Sequence, residues 1–157
     1  MRAKRLANLL ERGRRLHWQN ARTLASTRLR TSLPERIGFR ADLVYRTIQL
    51  VGAIRFVEAR GYLEGGALDA FLEALHDEVA GEDSVRIDRM LEVYAGAFHD
   101  ERRFAEVVTT DLSHALFGKA RPEARAALAQ TPAAVLKTTC LYCAEVFGDA
   151  AALRALG

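Results

Sequence analysis

Cysteine is almost missing from the chain: Cys140 and Cys143 are the only two in 157 residues. That excludes a disulfide framework as the source of stability and leaves too few thiolates for a four-cysteine zinc site. Proline occurs three times, and no apolar run approaches the roughly 20 residues of a membrane-spanning helix. No glycine-rich phosphate loop, nucleophile elbow, zinc-metalloprotease motif or recognisable Ser-His-Asp arrangement is present. Catalysis therefore has no motif to stand on, and the expectation is a protein that is not an enzyme and needs no cofactor. The opening residues MRAKRLANLLERGRR lack the uninterrupted apolar segment of a secretory signal, so a soluble, cytoplasmic protein is expected. The first 33 residues, rich in arginine and poor in acid, also fit a mitochondrial presequence, the alternative reading of that segment.

Half of the residues are hydrophobic, and alanine, leucine, arginine and glutamate, all strong helix formers, dominate. The predicted fold is all-α: one domain over 1–157, a compact multi-helix bundle with a long basic amphipathic helix over 1–31 and a helical core over 32–157. In the first segment Leu6, Leu9, Leu10, Leu16, Ala21 and Leu24 fall within an arc of about 140° on a helical wheel, which assigns them to a buried face. Ser32-Leu-Pro-Glu35 has capping-box spacing and predicts a second helix from there to about Arg60. That helix reads as the central one, because LVYRTIQLVGAIRFV is apolar on most sides. Further helices are predicted over about 67–80, from Asp83 or Ser84, from Asp100 to Gly118, from Pro122, from Thr131-Pro132 to Phe147, and in a last turn after Gly148-Asp149.

Three side-chain patterns invite a chemical reading. Glu73-Ala-Leu-His76 and Asp111-Leu-Ser-His114, each preceded by a helix carrying Glu58 or Glu92, resemble the ligand order of ferritin-like di-iron bundles. Solvated polar residues explain the same spacing, so no metal ligand is assigned. His76, His99-Asp100 and Asp149 follow the order of ligands in HD-type phosphohydrolases, but Asp100 reads as a helix cap. Cys140-Leu-Tyr-Cys143 lies well inside a helix rather than at its N-terminus, where a reactive thiol would sit, and reads as two small buried hydrophobes.

Charge is the informative property. Residues 1–40 carry eleven basic side chains against Glu11 and Glu35, whereas residues 69–92 carry eight acids against Arg86 and Arg89. Between Arg12 and Arg30 there is no acid at all. Like charges four apart destabilise a helix, so the uncompensated arginines call for an anion from outside it. Arg12, Arg14, Arg15, Trp18, Arg22, Arg28, Arg30, Arg36 and Arg40 form the candidate nucleic-acid-binding set, with the arginines on phosphates and Trp18 stacking on an unpaired base. Lys119, Arg121 and Arg125 form a smaller second patch. The acidic 69–92 segment, in the same chain or the next copy of a head-to-tail homo-oligomer, is the alternative anion, as is an acidic partner protein docking on the helix. A membrane surface fits less well, since the apolar face is needed to dock the helix on its own core.

Over the whole chain, the size, helix content and charge layout resemble the small helical subunit of CRISPR effector complexes. The resemblance implies a non-catalytic subunit of a ribonucleoprotein in antiviral defence. Several copies would line up along RNA or single-stranded DNA and hold its backbone, beside other protein subunits.

Overall fold

The structure, a computed structural model, describes residues 1–118 and 121–157. Among them are eight α-helices: α1 Arg2–Arg28, α2 Phe39–Arg60, α3 Gly65–Ala80, α4 Ser84–Ala97, α5 Glu101–Phe117, α6 Pro122–Leu128, α7 Thr131–Val146 and α8 Ala150–Leu156. A 3₁₀ turn, Gly81–Asp83, joins α3 to α4. The all-helical bundle with a long first helix is as the composition predicts, and no described helix is long and apolar enough to cross a membrane.

Helix α2 is the axis. Thirteen of its 22 residues are buried, and α1, α4, α5 and α7 pack around it. Two apolar clusters result. One holds Trp18, Tyr45, Ile48, Tyr94, Phe104 and Leu112; the other holds Leu6, Leu10, Leu50, Phe71, Leu75 and Ile87. Met90 and Leu91 of α4 touch both. The helices come close where small residues line the seam. A Cβ on Gly52 would sit 2.8 Å from Leu136 Cδ2, and one on Gly13 would sit 2.9 Å from Tyr142 Cε2.

Those small residues rotate α1 relative to the predicted face. Ala3, Ala7, Gly13, Ala21 and Ala25 are buried with Leu6, Leu10, His17 and Trp18, whereas Leu16 is 60% exposed and Leu9 and Leu24 are only half-buried. Close approach favours alanine and glycine, and a wheel weighted by leucine misses that seam.

The second helix begins six residues later than the Ser32 cap predicts, with Gly38 in the cap position. Ser32 is exposed and makes no cap. The indole Nε1 of Trp18 donates to the carbonyls of Pro34 and Glu35, at 3.1 and 3.0 Å. In a helix starting at Ser32 those carbonyls would accept from amides four residues on, so the buried indole and the helix compete for the same acceptors. Residues 29–38 run instead as an irregular strap along α1, and α2 starts after the extended Gly38. α1 itself stops at Arg28, with the Leu29 and Thr31 amides returning to the Ala25 carbonyl. Arg30 follows in a left-handed conformation, φ 51°, which costs a non-glycine residue roughly 1–2 kcal/mol.

The expected cap at Asp100 forms, its Oδ1 accepting from the Arg103 amide at 3.2 Å. Asp149 caps α8 through the Ala152 amide at 3.0 Å. Asp83 does not cap α4 with its side chain; its carboxylate is engaged by Arg46.

Candidate nucleic-acid interface

The outward arc of α1 follows from its seating. At about 100° per residue, burying Leu6, Leu10, Gly13, His17 and Ala21 turns Lys4, Arg5, Asn8, Arg12, Arg15, Gln19, Arg22, Thr23 and Ser26 away from the core. All of these are exposed except Arg22, which is half-buried. The arc contains one acid, Glu11, which pairs with Arg15 at 3.0 Å. Both side chains are more than half exposed, so the pair holds together by only about 0.3–0.5 kcal/mol. Arg5 reaches Glu145 at 3.9 Å, again at the surface. Arg12, Arg28, Arg30, Arg36 and Arg40 make no ion pair among the described residues.

The strap turns this arc into a groove. A cavity of about 410 Å³ is lined by Arg15, Trp18, Gln19, Glu35, Arg36 and Ile37. Gln19 continues into a second, of about 310 Å³, where Arg22, Thr23, Ser26, Thr27 and Ser32 present a guanidinium and hydroxyls. Arg22 donates Nη1 to Gln19 Oε1 at 3.2 Å, which spans the boundary. The Thr23 and Thr27 hydroxyls donate to backbone carbonyls of α1, so their oxygens keep lone pairs only; Ser26 and Ser32, whose hydroxyls make no bond among the described residues, supply O–H donors. Guanidinium and hydroxyl donors on a solvated groove are the groups that hold phosphate oxygens.

Three members of the predicted set lie elsewhere. Arg40 borders a separate cavity with Leu43, Val44, Met90, Asp111 and His114. Trp18 is 4% exposed; its ring belongs to the core and offers no open face for stacking, because its N–H anchors the strap. Arg14 is turned inward. Its Nη1 donates to Gln49 Oε1 at 2.9 Å and its Nε lies 3.4 Å from Asp42, while burial lowers its pKa. It opens a polar chain through the bundle: Gln49 donates to the Leu10 carbonyl, and Asp42 contacts Arg46 Nε at 2.8 Å. Arg46 in turn donates to the Val79 and Ala80 carbonyls and to Asp83. His17 is also buried, with its pKa lowered by that burial.

The hydroxyls, Gln19 and Glu35 were absent from the predicted set. The signal for the first was there: Thr23, Ser26 and Thr27 share a stripe with Arg22, visible once the buried seam is known. The strap's contribution was not, since Ser32 and Glu35 read as helical. Arg121 of the second patch lies over the Phe117 ring and 3.8 Å from Glu123. Arg125 borders a separate, mainly apolar cavity between α5 and α6, and Lys119 lies outside the described residues.

The other patterns resolve into local structure. His76 Nε2 bonds to Asp88 at 2.6 Å, Asp111 accepts from the Tyr94 hydroxyl at 2.7 Å, and Glu73 and His114 are exposed. No group of three or more His, Cys, Asp or Glu side chains able to hold a metal occurs among the described residues. His99 is exposed beside the Asp100 cap. Asp149 is bound to Arg60 and Tyr62. Cys143 is buried, its thiol pushed up to about 12 by that burial, and the half-buried Cys140 is raised for the same reason, the opposite of the lowered value that activates a thiol. The acids of 69–92 form no ion pair with α1 among the described residues; their partners are Arg46, Arg86 and His76. Comparison with protein-family models, with curated proteins and with solved structures finds no match.

Proposed function

We propose that the chain is a non-catalytic helical subunit that binds RNA or single-stranded DNA through its phosphate backbone, along the groove between α1 and the 29–38 strap. One observation carries the reading: on this surface Arg12, Arg22, Arg28, Arg30 and Arg36 have no carboxylate partner among the described residues, and Arg15 has only the exposed Glu11. The working set is therefore those six arginines, without Arg14, Trp18 and Arg40. Assembly with other subunits along a strand, as in the CRISPR effector complexes that the chain resembles, is part of the same proposal.

The reading is tested by titrating a labelled single-stranded oligonucleotide with the purified chain across salt concentrations. If four to six phosphates are engaged, the log–log slope is about −3 to −4. Arg12→Glu, Arg15→Glu and Arg22→Glu together should abolish binding and leave the circular-dichroism helix signal intact, because Arg12 and Arg15 are exposed and the half-buried Arg22 bonds only to the exposed Gln19 among the described residues. Equal binding by the triple variant, or no binding of any polynucleotide at low salt, overturns the reading.

A further inference from the structure

Glu35 is out of place in a groove built for anions. It is exposed, lines the 410 Å³ cavity beside Arg15 and Arg36, and pairs with neither among the described residues. A phosphodiester offers only acceptors, so a carboxylate here repels it. The donors that a nucleic acid carries are the N–H groups of base edges and the ribose hydroxyl. From this we propose, resting on the backbone-binding reading above, that the cavity takes an unstacked guanine of the bound strand, recognised by Glu35.

Guanine fits the donor and acceptor layout better than the other bases. Its Watson–Crick edge places two adjacent donors, N1–H and N2–H, before the two oxygens of one carboxylate. Cytosine and adenine each set a ring acceptor beside their amine, which would face the second oxygen, and uracil has a single N–H between two carbonyls. O6 and N7 of guanine are acceptors, and guanidinium groups bind them readily. Arg36, with no carboxylate partner among the described residues, and the amide of Gln19, whose Oε1 already accepts from Arg22, supply the matching donors. Ile37 and the small accessible part of Trp18 provide the apolar backing. The volume lies within the range of about 300–1,000 Å³ usual for small-ligand sites. The adjoining cavity of Arg22, Ser26 and Ser32, entered through the shared Gln19, lies where the nucleotide's phosphate would follow.

The experiment uses fluorescence anisotropy of the full chain with eight-residue oligouridine carrying one internal G, A or C, and with the deoxyribose equivalents. One guanine per strand prevents quadruplex formation. The expected result is about tenfold tighter binding of the G-containing strand in both sugar series. Glu35→Gln should reduce that preference to near unity, leave the salt slope unchanged and bind oligouridine as well or better, since a negative charge has gone. A wild type without base preference, or a Glu35→Gln variant that weakens all strands alike, overturns the guanine site and leaves backbone binding standing. A Glu35→Gln change in the RNA-to-DNA ratio alone assigns the carboxylate to the ribose hydroxyl and also overturns it. Absence of binding to every strand at low salt overturns both proposals.

Discussion

Asp149 accepts from four donors at once. Oδ2 takes Arg60 Nη2 at 2.7 Å, Arg60 Nε at 2.9 Å and the Tyr62 hydroxyl at 2.6 Å, and Oδ1 caps α8 through the Ala152 amide. The Tyr62 bond, then the cap, hold the carboxyl at about 2. A depressed folded-state pKa contributes stability above the unfolded value, near 3.9, that is lost as the pH falls through 2. His17 works over a different window. Its folded pKa is lowered by burial, so the unfolded chain takes up the proton first and stability declines as the pH drops below about 6.5. Urea midpoints from pH 8 to 2 should therefore show two acid-side losses. Asp149→Asn should be less stable at pH 7 and lose the lower step, converging with wild type near pH 2. His17→Phe should flatten the step between pH 7 and 5. A single unchanged profile in both variants would refute the assignments.

At the scale of elements, Arg46 joins α2 to the end of α3. Its Nη1 takes the Val79 and Ala80 carbonyls, at 3.2 and 3.1 Å, and its remaining nitrogens face Asp42 and Asp83, each at 2.8 Å. The side chain is 10% exposed. Arg46→Met leaves two carboxylates and two carbonyls around an apolar group, and should cost about 3–5 kcal/mol in urea unfolding. Adding Asp42→Asn and Asp83→Asn should restore part of that loss, because breaking one side of a buried pair is worse than removing both. A loss below about 1 kcal/mol for Arg46→Met would show that the clamp is dispensable. This cluster marks what the sequence could not disclose. Helix identity, the central place of α2 and the Asp100 cap were legible from periodicity and capping residues. Arg46 and Gln49, inside an apolar run, read only as interruptions, since their partners at Asp83 and Leu10 are 37 and 39 residues away. The Ser32 cap failed for the same reason: a tertiary bond from Trp18 outbid a local rule that was otherwise well satisfied.

Over the whole molecule the charges separate rather than pair. Exposed acids on α3 and α4 and the basic arc of α1 lie on one chain without an ion pair between them among the described residues. The layout lets the basic surface stay open in the free protein, whose net charge is only +3. Local repulsion among the arginines is then an unfavourable contribution that a bound polyanion removes, so binding must appear as thermal stabilisation. At a free ligand concentration of 100 Kd, linkage gives about 2.7 kcal/mol. For a chain of this length each kcal/mol moves Tm by about 2–4 °C, so single-stranded RNA or DNA should raise Tm by roughly 5–10 °C in low salt. The shift should shrink steeply as salt rises and vanish in the Arg12→Glu, Arg15→Glu, Arg22→Glu variant. That variant should itself melt near the wild-type temperature without ligand, since the repulsion among three arginines is relieved while only the exposed Arg15–Glu11 pair and the Arg22–Gln19 bond are lost. A triple variant that melts well below wild type would mean that these side chains support the fold, and the open-surface account of α1 would fail.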